Sequence, residues 1–191
     1  SRLLELAAPF LAGGQIDGIR LSTRPDQIDP ERIALLRARG VTTVEVGAQS
    51  LDDGVLLCAG RGHGAAATVR AVQTLQAGGL EAGLHLMAGL PGDSPERFAQ
   101  TIEQTIALRP STVRIHPTVV LKDTPLADAF RRGDYHPLSL PEAVRWCQGA
   151  MKRLAVAGIP VIRLGLQTTR ALETPGAVIA GPFHPAFRTL V

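Results

Sequence analysis

The chain has 191 residues, 45% of them apolar and 19% charged, and its formal net charge is +3. That length suits one domain with a real core, and the composition is that of an ordinary globular protein. No apolar run approaches the roughly 18 residues that cross a bilayer, and the two cysteines, Cys58 and Cys147, fit neither a disulfide framework nor a structural zinc site.

The start, Ser1-Arg2-Leu3-Leu4-Glu5-Leu6, reads as the middle of an amphipathic helix rather than a signal peptide, because an acid interrupts its apolar residues. It suggests a chain that begins partway through a fold. The two cysteines are expected to be free thiols, which places the protein in a reducing cytoplasm.

From there helix and strand alternate. Strands are predicted at Ile16–Ser22, Thr42–Ala48, Leu80–Ala88, Thr112–Val119 and Pro160–Leu164, each preceded by Gly or Pro punctuation. Helices are predicted at Asp29–Arg39, Ala65–Ala77, Pro95–Leu108, Pro125–Arg132 and Pro141–Ala157. Asp29-Pro30, Ser94-Pro95 and Thr124-Pro125 each put a capping side chain before a proline at the first helical position, and Ser139 to Glu142 has capping-box spacing. Strands separated by helices of this length imply parallel strands with crossover helices, in an open sheet or in an arc of a barrel. We expect an α/β fold: a partial TIM-type (β/α)6 barrel arc, truncated at its N-terminal side and followed by a helical and strand extension. The expected division is 1–121 for the barrel part and 122–191 for the extension.

The strands carry an unusual pattern. Side chains alternate along a strand. Val44, Val46 and Ala48 oppose Thr43, Glu45, Gly47 and Gln49, and Leu84, Leu86 and Ala88 oppose Gly83, His85 and Met87. Ile19 and Leu21 oppose Arg20 and Ser22, and Val113 and Ile115 oppose Arg114 and His116. The apolar face must pack under the helices, so the polar face looks inward. Burying such groups unpaired costs roughly 1–3 kcal/mol each. The inner space is therefore expected to be wide and filled by solvent or ligand; the alternative is an open sheet with one face in water. Ligands of α/β folds sit at the carboxyl ends of the strands, here Ser22 to Pro25, Gln49-Ser50, Ala88 to Gly92 and Thr118-Val119.

Several of these segments carry a resemblance. Ile19-Arg20-Leu21-Ser22-Thr23-Arg24-Pro25-Asp26 and Val44-Glu45-Val46-Gly47-Ala48-Gln49-Ser50 resemble the third and fourth strands of radical S-adenosylmethionine proteins. Arg61-Gly62-His63-Gly64 and His85 to Gly92, ending Gly89-Leu90-Pro91-Gly92, are similar to signatures of the branch that contains the catalytic subunit of Elongator and its bacterial relatives. Ile115 to Ala127, Tyr135 to Ser139 and Arg163 to Gln167 continue the match, which runs from about Gly18 to about Pro185.

The resemblance implies an enzyme that uses S-adenosylmethionine and a [4Fe-4S] cluster to make a 5′-deoxyadenosyl radical. Arg61 would pair with the methionine carboxylate, Gln49 would hold the methionyl or ribose part, His85 would contact the ribose and the backbone at Val119 would read adenine. Ser22 stands where several relatives carry an acid. The C-x-x-x-C-x-x-C cluster motif is absent from these residues, so this chain alone is expected to be inactive. Kinship suggests transfer RNA as the substrate. The stretch from Arg109 to Arg170, with ten basic residues against four acidic ones, is compatible with an RNA partner. Two rival readings remain: a scaffold or binding module without a cluster, and an ordinary barrel lyase or isomerase.

Overall fold

The computed structural model describes residues 2–191, apart from the side chain of Ala171; Ser1 lies outside the described residues. In chain order it contains α1 (Arg2–Ala12), β1 (Ile19–Thr23), α2 (Pro30–Ala38), β2 (Val41–Gln49), α3 (Asp53–Cys58), α4 (Ala65–Ala77), β3 (Glu81–Ala88), α5 (Pro95–Leu108) and β4 (Thr112–Pro117). There follow β5 (Val120–Leu121), α6 (Pro125–Arg132), α7 (Leu140–Val156), β6 (Val161–Leu164), α8 (Arg170–Glu173), β7 (Val178–Ala180) and α9 (Phe187–Leu190).

Five strands form one sheet in the order β1-β2-β3-β4-β6, and every neighbouring pair is parallel. Sequential strand order with helical crossovers is the arrangement of a barrel arc. The small strands β5 and β7 pair antiparallel in a separate ribbon.

The caps explain where the helices begin. Side chains of Asp29, Ser94, Thr124 and Ser139 accept the backbone N–H of the residue three positions on, and Ser139 with Glu142 completes the capping box. Two predicted strands are shorter than expected. The first starts at Ile19 instead of Ile16, since its parallel register with Val41 begins there. The fourth ends at Pro117 rather than Val119; a proline has no N–H with which to extend a ladder.

The core lies between one sheet face and the helices. Val44, Val46, Ala48, Leu84, Leu86, Ala88, Val113 and Ile115 are fully buried there with Val72 and Leu75 of α4, Phe98 and Ile102 of α5, and Ala143, Cys147 and Leu154 of α7. Burying an aliphatic side chain of this size stabilises the fold by roughly 1.5–3 kcal/mol. The apolar half of the alternation is thus under the helices, and β6, from the later segment, finishes the same sheet.

The polar face is buried along β2 and opens to solvent toward β1 and β4. Thr43, Glu45 and Gln49 are 4%, 5% and 6% exposed; Thr43 bonds Glu81, and Glu45 meets Arg20, Ser22 and Arg114. His85, Arg114 and His116 are half-buried, while Arg20 and Ser22 are exposed.

Candidate active site

Glu45 organises the polar face. Its carboxylate lies 3.4 Å from Nη1 of Arg20 and 3.0 Å from Nε of Arg114, and it accepts the Ser22 hydroxyl at 3.2 Å. The Arg114 contact is an ion pair by distance, but its N–H does not aim at the oxygen, so that Nε remains buried without a hydrogen-bond partner. One carboxylate therefore ties together β1, β2 and β4 across β3. Ser22, one of the expected cofactor contacts, spends its hydroxyl on Glu45.

On β3 and β4, His85 and His116 are linked through Nε2 and Nδ1 at 2.9 Å, with their rings edge to face. Burial lowers the pKa of both, in His116 to about 4, with the neighbouring His85, Arg163 and Arg114 acting in the same direction. Two neutral imidazoles share this bond, so the tautomer of one fixes that of the other. Nε2 of His116 is buried without a partner.

Gln49 closes β2 with φ +66°, left-handed backbone that non-glycine residues adopt at a cost. Its amide folds back over Gly47, where an added Cβ would stand 3.0 Å from Nε2. In register Gln49 faces Leu86, the residue after His85.

Arg61 follows α3 in the loop that leads to α4. It lines a cavity of about 670 Å³ together with Asp53, Leu56, Leu57, His63 and the loop glycines. Its Nε and both ring nitrogens of His63 are buried without partners. Desolvation, then the charge of Arg24, lowers the Arg61 pKa, and its own charge acts on His85. Arg24 belongs to the same cluster: its guanidinium grips Asp26 with two bonds of 2.9 and 3.0 Å and would lie 3.4 Å from a Cβ at Gly62. Among the described residues no carboxylate pairs with Arg61. Such a site asks for an anion.

Val119 lies just beyond β4, beside a crevice of about 10 Å³ shared with Gly165, Phe183 and Phe187. That volume holds about one water. Gln49 ends β2, His85 lies three residues before the end of β3 beside the register partner of Gln49, Arg61 comes from the loop after α3, and Val119 stands just beyond β4.

Residues 2–105 match the Radical SAM superfamily, and residues 110–191 match the Radical SAM C-terminal domain.

The chain belongs to the radical SAM superfamily.

Proteins of this superfamily use S-adenosylmethionine and a [4Fe-4S] cluster. A tRNA uridine(34) acetyltransferase from Methanocaldococcus infernus is 33% identical over 127 residues, which cover 65% of this chain and 24% of that protein. Elongator complex protein 3 of Mus musculus is 30% identical over 125 residues, covering 64% of this chain and 23% of the relative. The solved structure of archaeal Methanocaldococcus infernus Elp3 with an N-terminal deletion superposes with a TM-score of 0.76 at 26% identity, over 91% of this chain and 40% of that one. The chain spans about a quarter of the length of these curated relatives.

Sequence reasoning gave no role to two side chains that hold the loop after β3. Asp93 bonds the N–H of Gly89 at 3.0 Å and of Ser94 at 2.9 Å, and Tyr135 donates to the Gly89 carbonyl at 2.6 Å. His63 and Arg24 flank Arg61. For Asp93 the signal was present in its place directly after Gly89-Leu90-Pro91-Gly92; for Tyr135 no local pattern points across 46 residues.

Proposed function

We propose that this radical SAM chain binds S-adenosylmethionine across the strand ends of β1 to β4. The observation that supports this reading is the Nε of Arg61, buried without a carboxylate partner, with its charge acting on His85, whose neighbour Leu86 pairs in register with the strained Gln49. Arg61 would take the methionine carboxylate through two parallel charge-assisted bonds. Gln49 would hold the methionyl or ribose part, and His85 would meet a ribose hydroxyl. The backbone at Val119 would read the adenine edge, and Ser22 would keep Glu45 aligned beneath. The bound cofactor supplies radical chemistry; these residues supply position and exclude water.

The chain's own side chains do not fit the cluster. Its thiols are two, Cys58 exposed on α3 and Cys147 buried on α7, where burial pushes the Cys147 pKa up to about 12. Cluster ligation needs thiolates, and among the described residues no group of three metal-ligating side chains comes together. Accordingly this chain alone would neither assemble a cluster nor cleave S-adenosylmethionine. Equilibrium dialysis should show binding of S-adenosylmethionine that Arg61→Met weakens about tenfold or more. Undiminished binding by that variant would remove the assignment, and 5′-deoxyadenosine released after anaerobic iron–sulfide treatment would remove the statement of inactivity.

For the substrate we propose transfer RNA. Support comes from the Methanocaldococcus infernus relative, named for tRNA uridine(34), and from the basic stretch between Arg109 and Arg170. Within that stretch Arg131, Arg132 and Arg153 are engaged by Asp128, Asp134 and Glu103. Lys122, Arg145, Lys152 and Arg170 are then the side chains best placed for phosphates.

A further inference from the structure

Away from Arg61, the polar face holds a second concentration of positive charge, on β4 and β6. Arg114 and Arg163 are register partners on these strands, and the adjoining Ile115 pairs with Leu164. His116 stands two residues beyond Arg114 on the same face, opposite Met87. Both guanidinium charges act on His116.

The charges on this face do not balance. Glu45 faces both Arg20 and Arg114, so one carboxylate meets two guanidiniums. Arg163 meets only the neutral Oε1 of Gln167, at 2.6 Å, and among the described residues forms no ion pair. The two histidines carry no compensating charge. Nε2 of His116 and Oγ1 of Thr118 are both buried without partners, and Thr118 is only 2% exposed. Buried polar atoms in folded proteins almost always have partners. Orphans clustered beside excess positive charge indicate a missing acceptor.

We propose that Arg114, His116 and Arg163 form a binding subsite for an oxyanion, a phosphate or carboxylate group of a second ligand that sits beside the cofactor position. In the tautomer where His85 donates from Nε2 to Nδ1 of His116, Nε2 of His116 carries a hydrogen and completes a three-donor cradle. Arg163 supplies the planar fork that suits a two-oxygen edge.

The test uses the 191-residue chain without S-adenosylmethionine, so its result is independent of the cofactor assignment. Inorganic phosphate and, separately, acetate are titrated at constant ionic strength while long-range proton–nitrogen spectra follow the His116 ring. A saturable shift of the His116 nitrogen with either anion is expected; phosphate alone identifies a phosphate ester, acetate alone a carboxylate. Arg163→Met should weaken the apparent Kd about tenfold or more, and Arg163→Lys should weaken it less. An intact His85–His116 signal in each variant verifies the fold. If neither anion moves the His116 resonance, or if both variants bind as tightly as the parent, the subsite does not exist.

Discussion

The Tyr135 hydroxyl donates to the carbonyl of Gly89 at 2.6 Å, joining the segment before α7 to the loop that ends β3. Gly89 has φ +76°, and Leu138 occupies the space in front of it, with carbon atoms 2.7 Å from where a Cβ would stand. The same glycine donates its N–H to Asp93. Both backbone polar groups of one residue are therefore held by side chains, and the loop that ends β3 is fixed from two directions. Tyr135→Phe keeps the ring and leaves a buried carbonyl without its donor, at about 1–3 kcal/mol. Gly89→Ala adds left-handed strain and a clash with Leu138, so its cost should be larger. Urea unfolding of the two variants checks this order; a Tyr135→Phe chain as stable as the parent would contradict the linkage.

Asp93 makes stability depend on pH in an unusual direction. Desolvation is the largest influence and raises its pKa to about 6, against the opposing effect of the backbone N–H groups of Gly89 and Ser94. The folded value thus lies above the ordinary 3.8. Between these two values the native state binds more protons than the unfolded chain, so this group's contribution falls as pH rises from about 4 to about 6 and is level above that. The full span is up to about 3 kcal/mol. Asp93→Asn abolishes the titration but keeps only one acceptor for two N–H groups. The difference in unfolding free energy between parent and variant should therefore slope across pH 4–6 and flatten by pH 7. A difference that is constant from pH 4 to pH 7 would rule out the raised pKa.

Much of this architecture was legible in the residues. Asp29, Ser94 and Ser139 announce helix starts because capping and proline placement act within four residues. The alternation of Val44, Val46 and Ala48 with Thr43, Glu45 and Gln49 marks two faces because the strand period is two. What escaped is either very short or non-local. Helix α3 has six residues and is set by Asp52 bonding the N–H of Val55, too brief for a periodic signal. The β5–β7 ribbon joins Val120 to Ala180, far apart in sequence. Alternation also does not show that Glu45 is buried by its neighbours; that depends on Arg20, Ser22 and Arg114 arriving from other strands.

The Glu45 carboxylate is expected to be the most sensitive polar group of the sheet. Glu45→Gln keeps its volume but removes the charge that holds Arg114 and Arg20. Breaking a fully buried pair costs roughly 3–5 kcal/mol. Here the side chains of Arg114 and Arg20 retain 27% and 43% exposure, which screens part of that loss. A destabilisation of about 2 kcal/mol is expected, and Glu45→Gln combined with Arg114→Gln should recover part of it. Chemical unfolding of the single and double variants measures the coupling; strictly additive losses would show that the two side chains do not interact.

The RNA reading makes its own prediction. Phosphate contacts release counterions, so affinity falls steeply with salt in proportion to the contacts made. Neutralising Arg145 and Lys152 on α7 together should weaken binding of a transfer RNA and reduce the magnitude of the slope of log K against log salt by about 2. Neutralising Arg131 and Arg132 should have a smaller effect, because Asp128 and Asp134 already compensate them at 2.8 and 2.7 Å. Filter binding from 50 to 200 mM salt distinguishes the two pairs. Equal effects from both would mean that the local ion pairs open on binding, and no effect from either would move the RNA surface off α6 and α7.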